Sequence, residues 1–200
     1  LSRALEPLSA AEQERRVRVL MLQPERLKEL RRRLGSLSWF MRFLNEAVAR
    51  AANAEDECTG RFWEGRYKCQ ALLDEAAVLA CMAYVDLNPI RAGVTEALEE
   101  SDFTSIQRRL RAIENGVVRP DTPLRPLTGS GACSPELTVR AYVELVARTG
   151  RPFSTPELPA GIRASPDWWI GCVLRIEELF ATAVGLPASL RAFAIATGRC

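Results

Sequence analysis

Asp74-Glu-Ala-Ala-Val-Leu-Ala-Cys-Met-Ala-Tyr-Val-Asp-Leu-Asn-Pro-Ile-Arg-Ala-Gly93 holds the clearest helix of this chain and its most specific pattern. Asp74 is a side chain suited to accept the first free backbone N–H groups, and the run behind it is rich in Ala and Leu. A helix is therefore expected from Glu75 to Leu87. Asn88-Pro89 is expected to stop it, because proline lacks a donor N–H and pushes the residue before it out of the α region. Tyr84 shares a face with Ala77, Ala80 and Cys81, which by itself favours a packing tyrosine. Tyr84 and Asn88 stand four apart, so a helix reaching that far presents both on one side.

Upstream, Ser9-Ala-Ala-Glu12 reads as a capping box. Val17, Leu20, Met21, Leu27, Leu30 and Leu34 follow at helical spacing, and Pro24 divides this stretch into two helices. Arg26, Lys28, Arg31, Arg32 and Arg33 stud the second piece, either as a solvated helix end or as a phosphate-facing surface. Gly35 ends it, and Ser36 or Ser38 caps an amphipathic helix that carries Trp39, Phe40, Phe43, Leu44, Ala47 and Val48 to about Asn53. After a polar loop, Arg61-Phe-Trp-Glu-Gly-Arg-Tyr-Lys-Cys69 alternates aromatic and charged residues, the pattern of a strand. The chain offers no second strand to pair with it.

Downstream, Ser101-Asp102 is expected to open a helix from Phe103 to about Asn115, with Gly116 just past its end. Residues 117–134 have the Pro/Gly composition of a linker. Ser134-Pro135 is expected to start a helix reaching Thr149, Ser165-Pro166 another that carries Trp168 and Trp169 as packing anchors, and a last helix spans about Pro187 to Thr197.

Of the 200 residues, 48% are hydrophobic and 26% charged, the profile of a globular chain. No run is long and apolar enough for a membrane helix, and the first residues lack the pattern of a signal peptide. A cytoplasmic setting is expected, with reduced cysteines: Cys58, Cys69, Cys81, Cys133, Cys172 and Cys200 form no C-x-x-C pair. The net charge of +2 hides a gradient of +4 over 1–70, −3 over 71–111 and +1 over 112–200. The chain holds no histidine, which excludes Ser-His, Cys-His and His-ligated metal chemistry from these residues alone. It begins at Leu1 rather than methionine, so sequence before it is expected.

Three pieces in order carry a family resemblance: Gly60-Arg-Phe-Trp-Glu-Gly-Arg-Tyr67, Ala83-Tyr-Val-Asp-Leu-Asn-Pro-Ile-Arg-Ala-Gly93 and Ser101-Asp-Phe-Thr-Ser-Ile106. Together they resemble the REP-associated tyrosine transposases, a branch of the IS200/IS605-like Y1 transposases in the HUH endonuclease superfamily. The resemblance covers about residues 36–111. It implies a tyrosine nucleophile at Tyr84 that cleaves and rejoins single-stranded DNA through a 5′-phosphotyrosine link. It also implies a divalent metal, Mg²⁺ or Mn²⁺, with Asn88 as third ligand beside a His-hydrophobic-His pair that this chain does not contain.

The fold so implied is the C-terminal part of an α+β ferredoxin-like domain (residues 1–116), then the linker and a small all-helical tail over 135–200, so that the chain as given is mainly α. Arg61, Trp63, Arg66, Lys68 and Arg91 are the candidate DNA contacts. For Trp63, and for Tyr67 on the same face of the expected strand, core packing is the competing role. Asn88 equally suits a plain helix stop. Partners implied are single-stranded or hairpin DNA and a second copy of the chain. With the His pair missing, the chain is expected not to cleave. The alternative function is a non-catalytic remnant that grips hairpin repeat DNA, and a third is a helical protein-interaction piece organised by Trp168 and Trp169.

Overall fold

The computed structural model describes residues 8–125, 137–151, 156–159 and 162–198. The chain divides into two compact units, Leu1–Lys68 and Cys69–Cys200. The described part is mainly helical.

In the first unit, α1 (Ala10–Met21) starts where the capping pattern places it, with the Ser9 side chain accepting the Glu12 N–H. Pro24 opens α2 (Pro24–Leu34), and α3 spans Leu37–Glu55 behind Ser36. All three are amphipathic, yet none contains a buried residue. Phe40 and Phe43 of α3 remain about 60% exposed. Arg61–Cys69 is not a strand but an irregular segment. Its alternation had another cause: Trp63 donates its Nε1–H to the Asn45 carbonyl of α3, 2.9 Å away, and Tyr67 shares a hydrogen bond with Ser38. The aromatics dock the segment onto α3, and without a ladder partner an extended chain has no reason to persist.

The second unit is built around α4 (Glu75–Arg91). Asp74 caps it through the Ala77 N–H, and its other carboxylate oxygen accepts the Leu186 N–H at 2.7 Å. Ala76, Ala77, Leu79, Ala80, Ala83, Asp86 and Leu87 are all buried, more than one helical stripe, so α4 is covered from several sides. The small residues let its neighbours approach closely. Those neighbours are α5 (Ser105–Glu114), α6 (Val139–Thr149) and α7 (Pro166–Leu179). Ile106, Tyr142, Val146, Trp169, Val173 and Val184 complete one core with α4. The elements before and after 117–134 thus pack together in one unit.

Four expectations need correction. The helix does not stop at Asn88-Pro89: α4 continues through Pro89 to Arg91, and Gly93 follows in the turn with a φ of +68° that suits glycine. Proline forfeits only the bond to the carbonyl of Val85, a residue 54% exposed, and water satisfies such a carbonyl. The helix α5 starts at Ser105 with Thr104 as its cap, not at Phe103, because Phe103 takes a left-handed φ of +63°.

The strands of the described residues lie elsewhere than at Arg61–Cys69. The two-residue β2 (Ala183–Val184) lies parallel to β1 (Ala71–Leu72), with Ala71 opposite Ala183. Finally, α6 begins at Val139 because Thr138 pairs its backbone with Pro123 and caps the helix. The expected start at Ser134-Pro135 lies outside the described residues, as do Cys133 and Cys200. The helices α7 and α8 (Pro187–Thr197) begin where expected, and Trp169 is fully buried as an anchor, its Nε1–H donated to Thr149.

Candidate active site around Tyr84

The continuity of α4 through Pro89 puts Tyr84, Asn88 and Arg91 at i, i+4 and i+7, on one face of an unbroken helix. The Arg91 guanidinium lies 5.1 Å from the centre of the Tyr84 ring, a cation–π contact that holds both side chains. Arg91 also donates to the carbonyl of Leu174 at 2.6 Å, with a longer contact to that of Val173. Those carbonyls lie just before Arg175, where α7 kinks out of helical backbone geometry (φ −139°, ψ 31°). A kink leaves helix carbonyls without their usual donors, and the guanidinium fork supplies them.

Two residues beyond the kink, Glu177 accepts a hydrogen bond from the Tyr84 hydroxyl at 2.8 Å. Burial of the phenol and the neighbouring carboxylate both push the Tyr84 pKa up, while Arg91 pulls against them. Asn88 is exposed. It offers one amide oxygen to a cation, and among the described residues no three acidic or thiol side chains group into a metal-holding cluster. A hard divalent ion takes about six oxygen ligands. The residues present do not make up its site.

The remaining candidates fall in the first unit. Arg61 folds back onto its own loop, donating to the backbone carbonyls of Trp63, at 2.7 Å, and Glu64. Trp63 packs edge-on against Phe62 at 4.8 Å and keeps 41% of its surface exposed. Arg66 and Lys68 are exposed. Of the predicted residues, then, α4 gathers Tyr84, Asn88 and Arg91, and the 61–68 segment carries the other four.

No protein-family model, curated protein or solved structure matches the chain.

Two side chains missed by sequence reasoning organise this region. Asp86 is 1% exposed, yet its carboxylate accepts from the backbone N–H groups of Ser105 (2.9 Å) and Ile106 (3.1 Å), from the Ser105 hydroxyl and from the Tyr142 hydroxyl (2.6 Å). It caps the N-terminus of α5 from a neighbouring helix. Ala83–Gly93 and Ser101–Ile106, two of the three pieces that carry the resemblance, are therefore joined by a buried carboxyl group. An acid in the apolar run between Ala83 and Leu87 was a readable signal. Glu177 had none, since nothing near it in sequence points to Tyr84.

Proposed function

We propose that this chain carries the nucleophile helix of a single-tyrosine transposase, with Tyr84 as the residue that would attack single-stranded DNA. The observation that carries the reading is the i, i+4, i+7 alignment of Tyr84, Asn88 and Arg91 on α4, in the sequence pattern that resembles that family. In the reaction, the phenol oxygen bonds to a phosphodiester phosphorus, the phenol proton passes to a base, and the 3′-oxygen of the strand leaves. Phenols have a pKa near 10, so a neutral phenol needs help to attack. Here burial and Glu177 raise that barrier. Because the 200 residues contain no histidine, the reaction calls for a metal-binding half that these residues do not supply. The working place would be the cytoplasm, on hairpin-forming repeats, as a homodimer.

A second reading has its own support: a DNA-gripping module without chemistry. The Tyr84 hydroxyl is already engaged by a carboxylate, which also repels an approaching phosphate.

Incubation of the chain with Mg²⁺ and a repeat-bearing hairpin oligonucleotide tests both. The expected result is salt-dependent binding without a covalent adduct. An adduct that Tyr84→Phe abolishes would establish the nucleophile and refute the need for a separate metal half. Binding unchanged in Tyr84→Phe favours the gripping module. Failure to bind any DNA at low salt sinks both readings.

A further inference from the structure

A cavity of about 460 Å³ lies on the far side of the Asp86 network, lined by Ser105, Arg108, Arg109, Ala112, Val118, Arg125 and Val139. Its volume falls in the ordinary range for small-molecule sites. Among the described residues that line it there is no carboxylate, and there are three guanidinium groups. Two acids of the neighbouring segments pair with other arginines: Asp102 with Arg111 and Asp121 with Arg140. Arg108 and Arg109 enter no ion pair among the described residues.

One of these arginines is held in place. Arg109 donates to the Ser105 hydroxyl at 2.5 Å and stacks 5.0 Å from the centre of the Tyr142 ring. Ser105 and Tyr142 both donate in turn to Asp86, which is buried. A chain of hydrogen bonds from the core thus fixes the orientation of a guanidinium fork at the cavity, while Arg108, exposed one residue earlier on α5, supplies a second fork. Ordering a long side chain before binding removes an entropic cost of holding an anion. The rest of the described lining beside Ser105 is apolar: Ala112, one turn on from Arg108 along α5, Val118 and the buried Val139.

We propose that this cavity binds a nucleotide, its phosphate in the Arg108–Arg109 forks and its base or sugar against Ala112, Val118 and Val139. Planar, bidentate arginine pairs match phosphate oxygens, and the apolar wall distinguishes a nucleotide from a bare anion. The phosphate can belong to a free nucleotide or to one unit of a single strand. The site uses neither Tyr84 nor Arg91, so it does not rest on the chemistry proposed above.

Calorimetric titration of the whole chain with inorganic phosphate, with dAMP and with oligothymidylate tests it, alongside Arg108→Ala and Val118→Trp. Arg108 is solvent-exposed, so its variant is expected to keep the wild-type circular dichroism and melting temperature. We expect dAMP or oligothymidylate to bind, whichever is tighter identifying the source. Both should weaken about tenfold or more in Arg108→Ala. The salt slope for oligothymidylate should fall by about one. Val118→Trp, which fills the apolar side, should weaken both without changing that slope. Inorganic phosphate binding as tightly as dAMP, binding indifferent to both variants, or no binding by any probe would each overturn the proposal.

Discussion

Replacing Asp86 with alanine removes the acceptor for four hydrogen bonds at a site that is 1% exposed. Not all four losses weigh the same. Ser105 is exposed, and water can reach its hydroxyl and N–H once the carboxylate is gone. Ile106 and Tyr142 are fully buried, so the Ile106 N–H and the Tyr142 hydroxyl are left without partners in the core. Each unsatisfied buried donor costs about 1–3 kcal/mol, and loss of the cap on α5 adds about 1 kcal/mol.

We therefore expect Asp86→Ala to destabilise the chain by about 3–7 kcal/mol, measured by urea unfolding followed by circular dichroism. Asp86→Asn keeps the shape and one acceptor oxygen, and should cost roughly 1–3 kcal/mol. Tyr142→Phe leaves Asp86 its three other bonds and removes the donor that Asp86→Ala would strand. The double variant should accordingly be more stable than the sum of the singles predicts, with a coupling of about 1–2 kcal/mol. A cost below about 1 kcal/mol for Asp86→Ala, or strict additivity with Tyr142→Phe, would refute a buried carboxylate organising α5.

Three further outcomes are expected. The Tyr84 phenol, identified by the difference between wild type and Tyr84→Phe in an ultraviolet pH titration, should ionise above the ordinary tyrosine value, and Glu177→Gln should bring it down. Because the folded pKa is raised, the stability it contributes is complete below about pH 10 and is lost as pH rises through the folded value. Burial, with Asp74 adding, pushes the Cys172 thiol up to about 12, and burial raises Cys81 as well. Peptide mapping after brief iodoacetamide treatment should find Cys58 and Cys69, which are exposed, modified before Cys81 and Cys172; rapid labelling of Cys172 would contradict its place in the core. Pro89→Ala restores a donor in the last turn of α4, so stability should stay level or rise by up to about 1 kcal/mol. A loss greater than that would mean that the ring itself is needed there.

The local chemistry of the chain was legible where a side chain acts on its own neighbours. Ser9, Asp74 and Ser165 cap the helices they precede, Pro24, Pro166 and Pro187 open others, and Gly116 follows α5, all for reasons contained within a few residues. Alternation misled at Arg61–Cys69, because a period of two is meaningful only if a ladder exists to impose it, and here the aromatics dock onto α3. Proline misled at Pro89, because its cost depends on whether the forfeited carbonyl faces water, which is a tertiary fact.

The candidate site divides in the same way. The spacing of Tyr84 and Asn88 placed both on one helix face, and that face is where α4 carries them. What the phenol touches was decided elsewhere: Glu177 lies 93 residues away and reaches Tyr84 because α7 packs on α4 and kinks at Arg175. Asp86 likewise reaches Ser105 and Ile106, 19 and 20 residues on, and a tyrosine 56 residues off. By itself the amino-acid sequence determined where most of the helices lie, the caps at Ser9, Asp74 and Ser165 and the face on which the tyrosine stands, since these depend on contacts three or four residues long. Only the tertiary structure decided the state of that tyrosine and the arginine forks beyond Asp86, because the groups that burial brings against them come from distant turns of the chain.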